Sequence, residues 1–127
     1  MSGRYLLDTN AIIYALGRNL TLPPAHYAVS VITKMELLSW PALAANDKLK
    51  LREILGRITV VQLLPGIQET AVKIRRNTSL KLPDAIISST AIKGDFILVT
   101  DDEKLSNRHV GTAISLDELI VVAPDEE

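Results

Sequence analysis

Several residue types are missing or scarce in this chain. It contains no cysteine, which excludes disulfide bonds, thiolate metal sites and cysteine nucleophiles. Aromatic residues make up only 4% of the sequence, so few side chains are available for stacking on nucleic-acid bases. The formal net charge of -1 provides no strongly cationic field. A nucleic-acid partner would therefore need a local basic patch or a bound metal.

Long apolar runs are also missing. No stretch approaches the roughly 20 apolar residues that a membrane-spanning helix needs, so we expect no membrane segment. The apolar run near the N-terminus is short and is interrupted by Asp8, which is not typical of a signal peptide. The lack of cysteine suits a reducing compartment, and together these features favour a cytoplasmic protein. No Gly-rich phosphate loop is present, which argues against a kinase or an ATPase.

The length of 127 residues and the 47% hydrophobic content predict one globular domain with its own core. We expect this domain to span residues 1–122. The remaining residues, 123–127, end in Asp-Glu-Glu and are predicted to form a frayed acidic tail.

Strand and helix patterns alternate along the chain. Apolar, β-branched runs predict strands at Tyr5–Leu7, Tyr27–Ile32, Ile58–Leu63, Phe96–Val99 and Thr112–Ser115. Helical patterns lie at Ala11–Leu16, Lys34–Ala45 with a break near Pro41, Leu49–Leu55, Ile67–Arg76 and Ala85–Ile92. This alternation predicts an α/β, Rossmann-like domain whose central, mostly parallel sheet is flanked by helices.

Acidic residues recur after the predicted strands. Asp8 follows the first strand, and Glu36 is expected at the opening of the helix after the second. Asp84 follows Pro83 at the start of another helix, and Asp101 and Asp102 follow the strand in FILVT. Open parallel sheets bind ligands beyond the carboxyl ends of their strands, so these acids should gather at one edge.

Such a cluster of like charges would raise the pKa values of its members unless a cation offset them. Oxygen ligands select hard metals such as Mg²⁺ or Mn²⁺. The only histidines are His26 and His109, so a zinc site has little support. A metal held in this way can activate water for phosphodiester hydrolysis.

Each acid also has a simpler interpretation as a helix cap. The segments Thr33–Glu36 and Thr100–Glu103 fit capping boxes. Asp84 could complement a helix dipole, and Asp8 or Asn10 could cap the first helix. The caps explain where helices start, but they do not explain why acids recur after apolar strands.

The motifs resemble those of PIN domains, and of VapC-type toxins in particular. LLDTN at Leu6–Asn10 is similar to their first motif, and Glu36 in SVITKMELL is similar to their second. KLPDAIISSTA, at Lys81–Ala91, resembles the third, and LVTDDEKL, at Leu98–Leu105, resembles the fourth. The likeness covers nearly the whole chain, from Leu6 to about Leu119.

The resemblance implies a ribonuclease that uses Mg²⁺ or Mn²⁺, forms a homodimer and has a small antitoxin as its partner. It implies that the metal ligands and catalytic acids are Asp8, Glu36, Asp84 and Asp102, with Asp101 as the alternative in the fourth motif. Asn10 and Thr100 would then support the ligands through hydrogen bonds, and Thr9 would shape the turn.

A basic cluster lies just before and at the first residue of the third motif. Its members, which could hold RNA phosphates, are Lys73, Arg75, Arg76 and Lys81. Solvated surface charge is the simpler interpretation of each one, and Arg75 and Arg76 cannot share one helix face.

Three other functions fit parts of the pattern. A haloacid-dehalogenase-like phosphatase also begins with an Asp after a strand, but it needs a second acid two residues later, where this chain has Asn10. A receiver-like module needs an acceptor Asp after a central strand, and the third predicted strand ends in Leu63-Leu64-Pro65. A catalytically inactive PIN module is the third alternative.

Overall fold

Five parallel strands form the centre of the computed structural model, which describes residues 3–122, apart from the Val122 side chain. The predicted tail, 123–127, lies outside the described residues. The strands are β1 (Arg4–Leu7), β2 (His26–Ser30), β3 (Thr59–Val61), β4 (Ile97–Val99) and β5 (Ala113–Ile114). Their order across the sheet is β3-β2-β1-β4-β5. The predicted α/β architecture with a parallel sheet is therefore confirmed.

Seven helices connect and cover the strands within the described part of the chain. They are α1 (Thr9–Gly17), α2 (Val31–Leu38), α3 (Ala45–Arg57), α4 (Pro65–Asn77), α5 (Leu82–Gly94), α6 (Glu103–Arg108) and α7 (Leu116–Val122). None of the helices in residues 3–122 has the length and apolar character needed to cross a membrane.

The central strand β1 supplies side chains to both faces of the sheet. Tyr5 and Leu7 belong to one buried cluster, whereas Leu6 belongs to the other. Successive side chains of a strand point to opposite faces, so a run of consecutive apolar residues suits a strand that is buried on both sides. Asp8 is the first residue after this run and lies directly at the carboxyl edge of the sheet.

Two predicted boundaries around the second strand are wrong. The strand ends at Ser30, not Ile32, because the Ser30 hydroxyl caps α2 by accepting a hydrogen bond from the Ile32 amide at 3.2 Å. Thr33 therefore lies inside the helix and is not its N-cap, and Glu36 lies in the second turn. The β-branched Val31 and Ile32 suit a strand equally well by composition, which is why the pattern predicted the end of the strand two residues too late.

The predicted helix from Lys34 to Ala45 is also interrupted. α2 stops at Leu38, and α3 begins only at Ala45. Pro41 lies in the connection, where its ring and missing amide hydrogen prevent a continuous helix. The expected break is correct, but it separates two helices and does not merely bend one.

α6 begins within the fourth motif and was not predicted as a separate helix. Its N-cap is Asp102, whose carboxylate accepts a hydrogen bond from the Leu105 amide at 3.0 Å, so the predicted capping box with Thr100 as N-cap is wrong. At its other end, the Nδ1 atom of His109 lies 2.6 Å from the Ser88 hydroxyl of α5. Both side chains are buried, so this hydrogen bond ties α6 to α5 in the interior.

We predict that His109 makes the fold sensitive to acid. Burial lowers the pKa of His109 below its ordinary value of 6.5. The unfolded chain then takes up a proton that the native state resists, so stability is fully present above about pH 6.5 and is lost as the pH falls through the lowered folded-state pKa. Urea unfolding at pH 7.5 and 5.5 should show a smaller loss in His109→Asn, which keeps a hydrogen-bonding group near Ser88 but does not titrate. Equal losses in the two proteins would contradict this role.

Candidate active site

Asp8 occupies the junction between β1 and α1. Its amide donates to the carbonyl of Val99 at 3.1 Å, which continues the pairing with β4, and its Oδ1 accepts from the Ala11 amide at 2.8 Å. Asp8 is therefore the N-cap of α1, as one interpretation of the sequence predicted. The side chain is only 4% exposed, so its negative charge lies at the buried end of the central strand.

The surroundings of Asp8 disfavour its ionised form. Burial raises the pKa of Asp8 to about 6, and the charges of Asp101 and Asp84 act in the same direction. Hydrogen bonds from the Thr100 hydroxyl and the Ala11 amide lower it, but they do not outweigh burial. A carboxylate with this balance is a candidate functional group, because burial without a neighbouring cation costs the native state free energy.

Asp84 lies in the first turn of α5 and is half-buried. The next residues of the same helix, Ala85–Ala91, are all buried. Burial raises the pKa of Asp84, and the charges of Asp102 and Glu36 raise it further. Asp84 thus senses acids from two other elements, α2 and the start of α6. Residues far apart in the sequence come together here because α5 contacts the central strands β1, β2 and β4 as well as α2.

Glu36 reaches the site through a direct contact with the first motif. The Thr9 hydroxyl donates to Glu36 Oε1 at 2.6 Å and also lies 3.3 Å from the Thr33 hydroxyl. Thr9 was expected only to shape the turn after Asp8. In the structure it joins the start of α1 to α2 and orients an acid.

The two consecutive aspartates of the fourth motif face different neighbours. Asp102 caps α6, and its charge raises the pKa of Asp84. Asp101 accepts a hydrogen bond from the Leu116 amide, at the start of α7, at 3.1 Å. Thr100 is buried and links the first motif to the fourth. Its hydroxyl forms a hydrogen bond with the side chain of Asp8 and accepts one from the Asp102 amide at 3.1 Å. Asn10, by contrast, is exposed and has no side-chain hydrogen bond to another described residue.

The basic residues divide into those near the acids and those further away. Lys81 and Lys104 both lower the pKa of Asp84, so they lie within electrostatic reach of it. Lys104 was missed in the sequence because α6 is too short to show a helical period. Arg75 instead donates to the Leu80 carbonyl at 3.2 Å, while Lys73 and Arg76 are exposed on α4.

The acids fit a hard divalent cation by their chemistry but do not form a ready-made chelate. Among residues 3–122, no three carboxylate or imidazole groups are placed closely enough together to hold an ion as they stand. The donors are all oxygen atoms, which suits Mg²⁺ or Mn²⁺. The like charges around Asp84 are also of the kind that a cation would offset.

Comparison with protein-family models matches residues 5–110 to the PIN domain. This chain belongs to the PIN domain family. The match begins at Tyr5 in β1, just before Asp8, and extends past α6, so it includes all four motifs. Comparison with curated protein sequences gave no match.

Solved structures share the fold of this PIN domain. A toxin–antitoxin complex from Klebsiella pneumoniae contains a chain that is 28% identical, with a TM-score of 0.70, and the match covers 88% of this chain and 97% of that one. VapBC2 from Rickettsia felis, bound to a DNA fragment from its promoter, gives 20% identity, a TM-score of 0.73, and 88% and 98% coverage. DNA-bound VapBC from Salmonella typhimurium gives 19% identity and a TM-score of 0.73, and the match covers 91% of this chain and 99% of that one. The resemblance to VapC-type PIN domains is thus confirmed.

We predict that Asp8→Asn stabilises the metal-free protein. With a pKa raised to about 6, the ionised carboxylate costs the native state free energy, a penalty that is absent below the ordinary pKa of 3.8 and complete above about 6. Asn keeps the acceptor oxygen for the Ala11 amide, so at pH 7.5 in EDTA the unfolding free energy should rise by about 1–3 kcal/mol. The gain should shrink as the pH falls from 6 towards 4. A destabilised variant at pH 7.5 would show that Asp8 is mainly a structural cap.

Proposed function

We propose that this chain is a metal-dependent endoribonuclease and the toxin component of a type II toxin–antitoxin pair. The observation that carries the proposal is the mutual electrostatic strain of carboxylates from separate motifs at the carboxyl edge of a PIN-domain sheet. Burial and the neighbouring charges raise the pKa values of Asp8 and Asp84 together. Helix caps alone would not require these acids to face one another.

Each acid has a distinct part in the proposed site. Asp8 and Asp84 are the buried and half-buried ligands, while Glu36 and Asp102 complete the cluster from α2 and α6, with Asp101 as an alternative to Asp102. A bound Mg²⁺ or Mn²⁺ ion would lower the pKa of a water molecule and offset negative charge on the phosphodiester. The chain itself supplies the oxygen donors, and the hydrogen bonds from Thr9 and Thr100 fix those of Glu36 and Asp8.

Lys81 and Lys104 complement these acids with positive charge. They lie within electrostatic reach of Asp84, at the start of α5 and on α6 respectively. Ammonium groups beside a carboxylate cluster can attract a polyanion to a surface that would otherwise repel it. We assign them to the RNA phosphates next to the cleaved bond. Within residues 3–122, no comparable interaction with Asp84 is made by Lys73, Arg75 or Asn10. We expect these three residues to contribute less to RNA binding.

The proposed partner is a small antitoxin protein. The Klebsiella structure is described as a toxin–antitoxin complex, and the Rickettsia and Salmonella structures are VapBC assemblies. By this likeness we propose a cognate antitoxin for this chain, a homodimeric state and action in the cytoplasm.

The decisive experiment is cleavage of structured and unstructured RNA by the purified protein with Mg²⁺, with Mn²⁺ and with EDTA. Cleavage should require metal and should be lost in Asp8→Asn and Asp84→Asn. Glu69→Gln, which removes an exposed acid from α4, is the matched control and should keep activity. If RNA is cut equally well in EDTA, or by Asp8→Asn, the proposed site is incorrect. If no RNA is cut while no metal binds, the proposed metal site is refuted, and of the four acids only Asp8 and Asp102 keep a role, as helix caps.

We also predict that Thr9 acts by orienting Glu36. Thr9→Val keeps the shape of the side chain but removes the hydroxyl that donates to Glu36 at 2.6 Å. The concentration of Mn²⁺ needed for half-maximal cleavage should rise about tenfold or more, because a hydrogen bond to a charged group contributes about 1.5–3 kcal/mol. Thr9→Ser should restore the wild-type value. A rise that Thr9→Ser fails to reverse would indicate a packing role for the Thr9 methyl group.

A further inference from the structure

A polar groove outside the acidic cluster lies between the ends of α4 and α6. Its volume is about 410 Å³, and its lining consists of Arg76, Asn77, Thr78, Ser79 and Arg108. Every one of these side chains is a cation or a hydrogen-bond donor, and none is a carboxylate. A concave surface with this lining has the chemistry of a binding site for an anion.

The two arginines of this groove keep their charges available. Arg108 Nε donates to the Ser79 hydroxyl at 3.1 Å, which holds the guanidinium in place and leaves its other N–H groups for a ligand. Among the described residues, the ion pairs join Arg18 to Asp117 and Arg57 to Glu53, so neither groove arginine is neutralised by a described carboxylate.

The loop beneath the groove is fixed by its own hydrogen bonds. The Thr78 hydroxyl donates to the Ile74 carbonyl at 2.7 Å and accepts from the Leu80 amide at 3.2 Å. Arg75 also donates to the Leu80 carbonyl, so this arginine braces the loop while Arg76 faces the groove. The groove is thus preformed, which reduces the entropy cost of binding.

The groove continues the positive charge that begins beside the acids. Lys104 and Arg108 are four residues apart on α6, so they share one face of that helix and lie about 6 Å apart along its axis. Lys104 lies within electrostatic reach of Asp84, and Asp102 caps the start of the same helix. α6 therefore connects the acidic cluster at one end with the groove at the other.

We propose that the Arg76–Arg108 groove binds the sugar–phosphate backbone of the RNA substrate to one side of the cleaved bond. This inference rests on the proposed ribonuclease function and extends it by naming where the strand leaves the site. The groove has guanidinium, amide and hydroxyl donors but no aromatic side chain, so it suits phosphate contacts and does not read the base sequence.

The test is binding of single-stranded RNA in EDTA, where the proposed cleavage is switched off. Fluorescence anisotropy would compare wild type with Arg76→Ala/Arg108→Ala and with the matched control Lys48→Ala/Arg52→Ala, which removes the same charge from exposed positions of α3. The groove variant should bind about tenfold more weakly. The slope of log affinity against log salt should fall by about 1.4, since each contact to a single strand contributes about 0.7. The control should shift neither quantity by a comparable amount.

Arg76→Ala alone guards against an indirect effect of losing the Arg108–Ser79 bond, because the side chain of Arg76 is exposed and does not brace the loop. It should give about half of the change in slope. Equal binding by wild type and the double variant would overturn the proposal, as would a loss confined to one RNA sequence. Because no cleavage is needed, a groove that binds RNA in a protein that never cuts would refute the nuclease function and leave the groove standing. Metal-dependent cutting of RNA, together with equal RNA binding by wild type and the groove variant, would support the nuclease function and refute the groove proposal.

Discussion

The buried charge of Asp8 is the constraint around which the rest of the site is arranged. A carboxylate at the end of a doubly covered strand loses most of its hydration, and this raises its pKa to about 6. Hydrogen bonds from Ala11 and Thr100 recover part of that loss. The same bonds fix the start of α1 and tie the first motif to the fourth. The burial of the Asp8 carboxylate thus underlies both its raised pKa and the hydrogen bonds that hold this part of the fold together.

Helix capping is compatible with the proposed ligand role of these acids. Asp8 caps α1, yet the charges of Asp101 and Asp84 raise its pKa. Asp102 caps α6, yet its charge raises the pKa of Asp84. A cap residue is held by a backbone amide, which limits the rotation of its carboxylate. The helices therefore position charged oxygen atoms at the sheet edge without additional structural elements.

Sequence patterns predicted the sheet and the membership of the acidic cluster better than they predicted contacts. Apolar runs followed by Asp8 and Asp102 can be read from consecutive residues of the sequence. The family match covers the segments around both residues. The Thr9–Glu36 bond and the Ser88–His109 bond join residues 27 and 21 positions apart, so no local pattern records them. The boundary at Ser30 was missed because β-branched residues opened the following helix. Lys104 and Arg108 went unnoticed because a helix as short as α6 has too few residues to show a period.

The hydrogen bond from the Asp8 amide to the Val99 carbonyl joins the backbone of Asp8 to the two strands at the centre of the sheet. Terminal segments and surface loops can open locally at little cost, whereas the backbone of a central strand is released only when much of the domain unfolds. β1 lies in the middle of the sheet with β2 and β4 as its neighbours. The arrangement around Asp8 is therefore as durable as the fold itself. An inhibitory protein would therefore need less free energy to cover the entrance of such a site than to distort it, because distortion would require much of the domain to unfold.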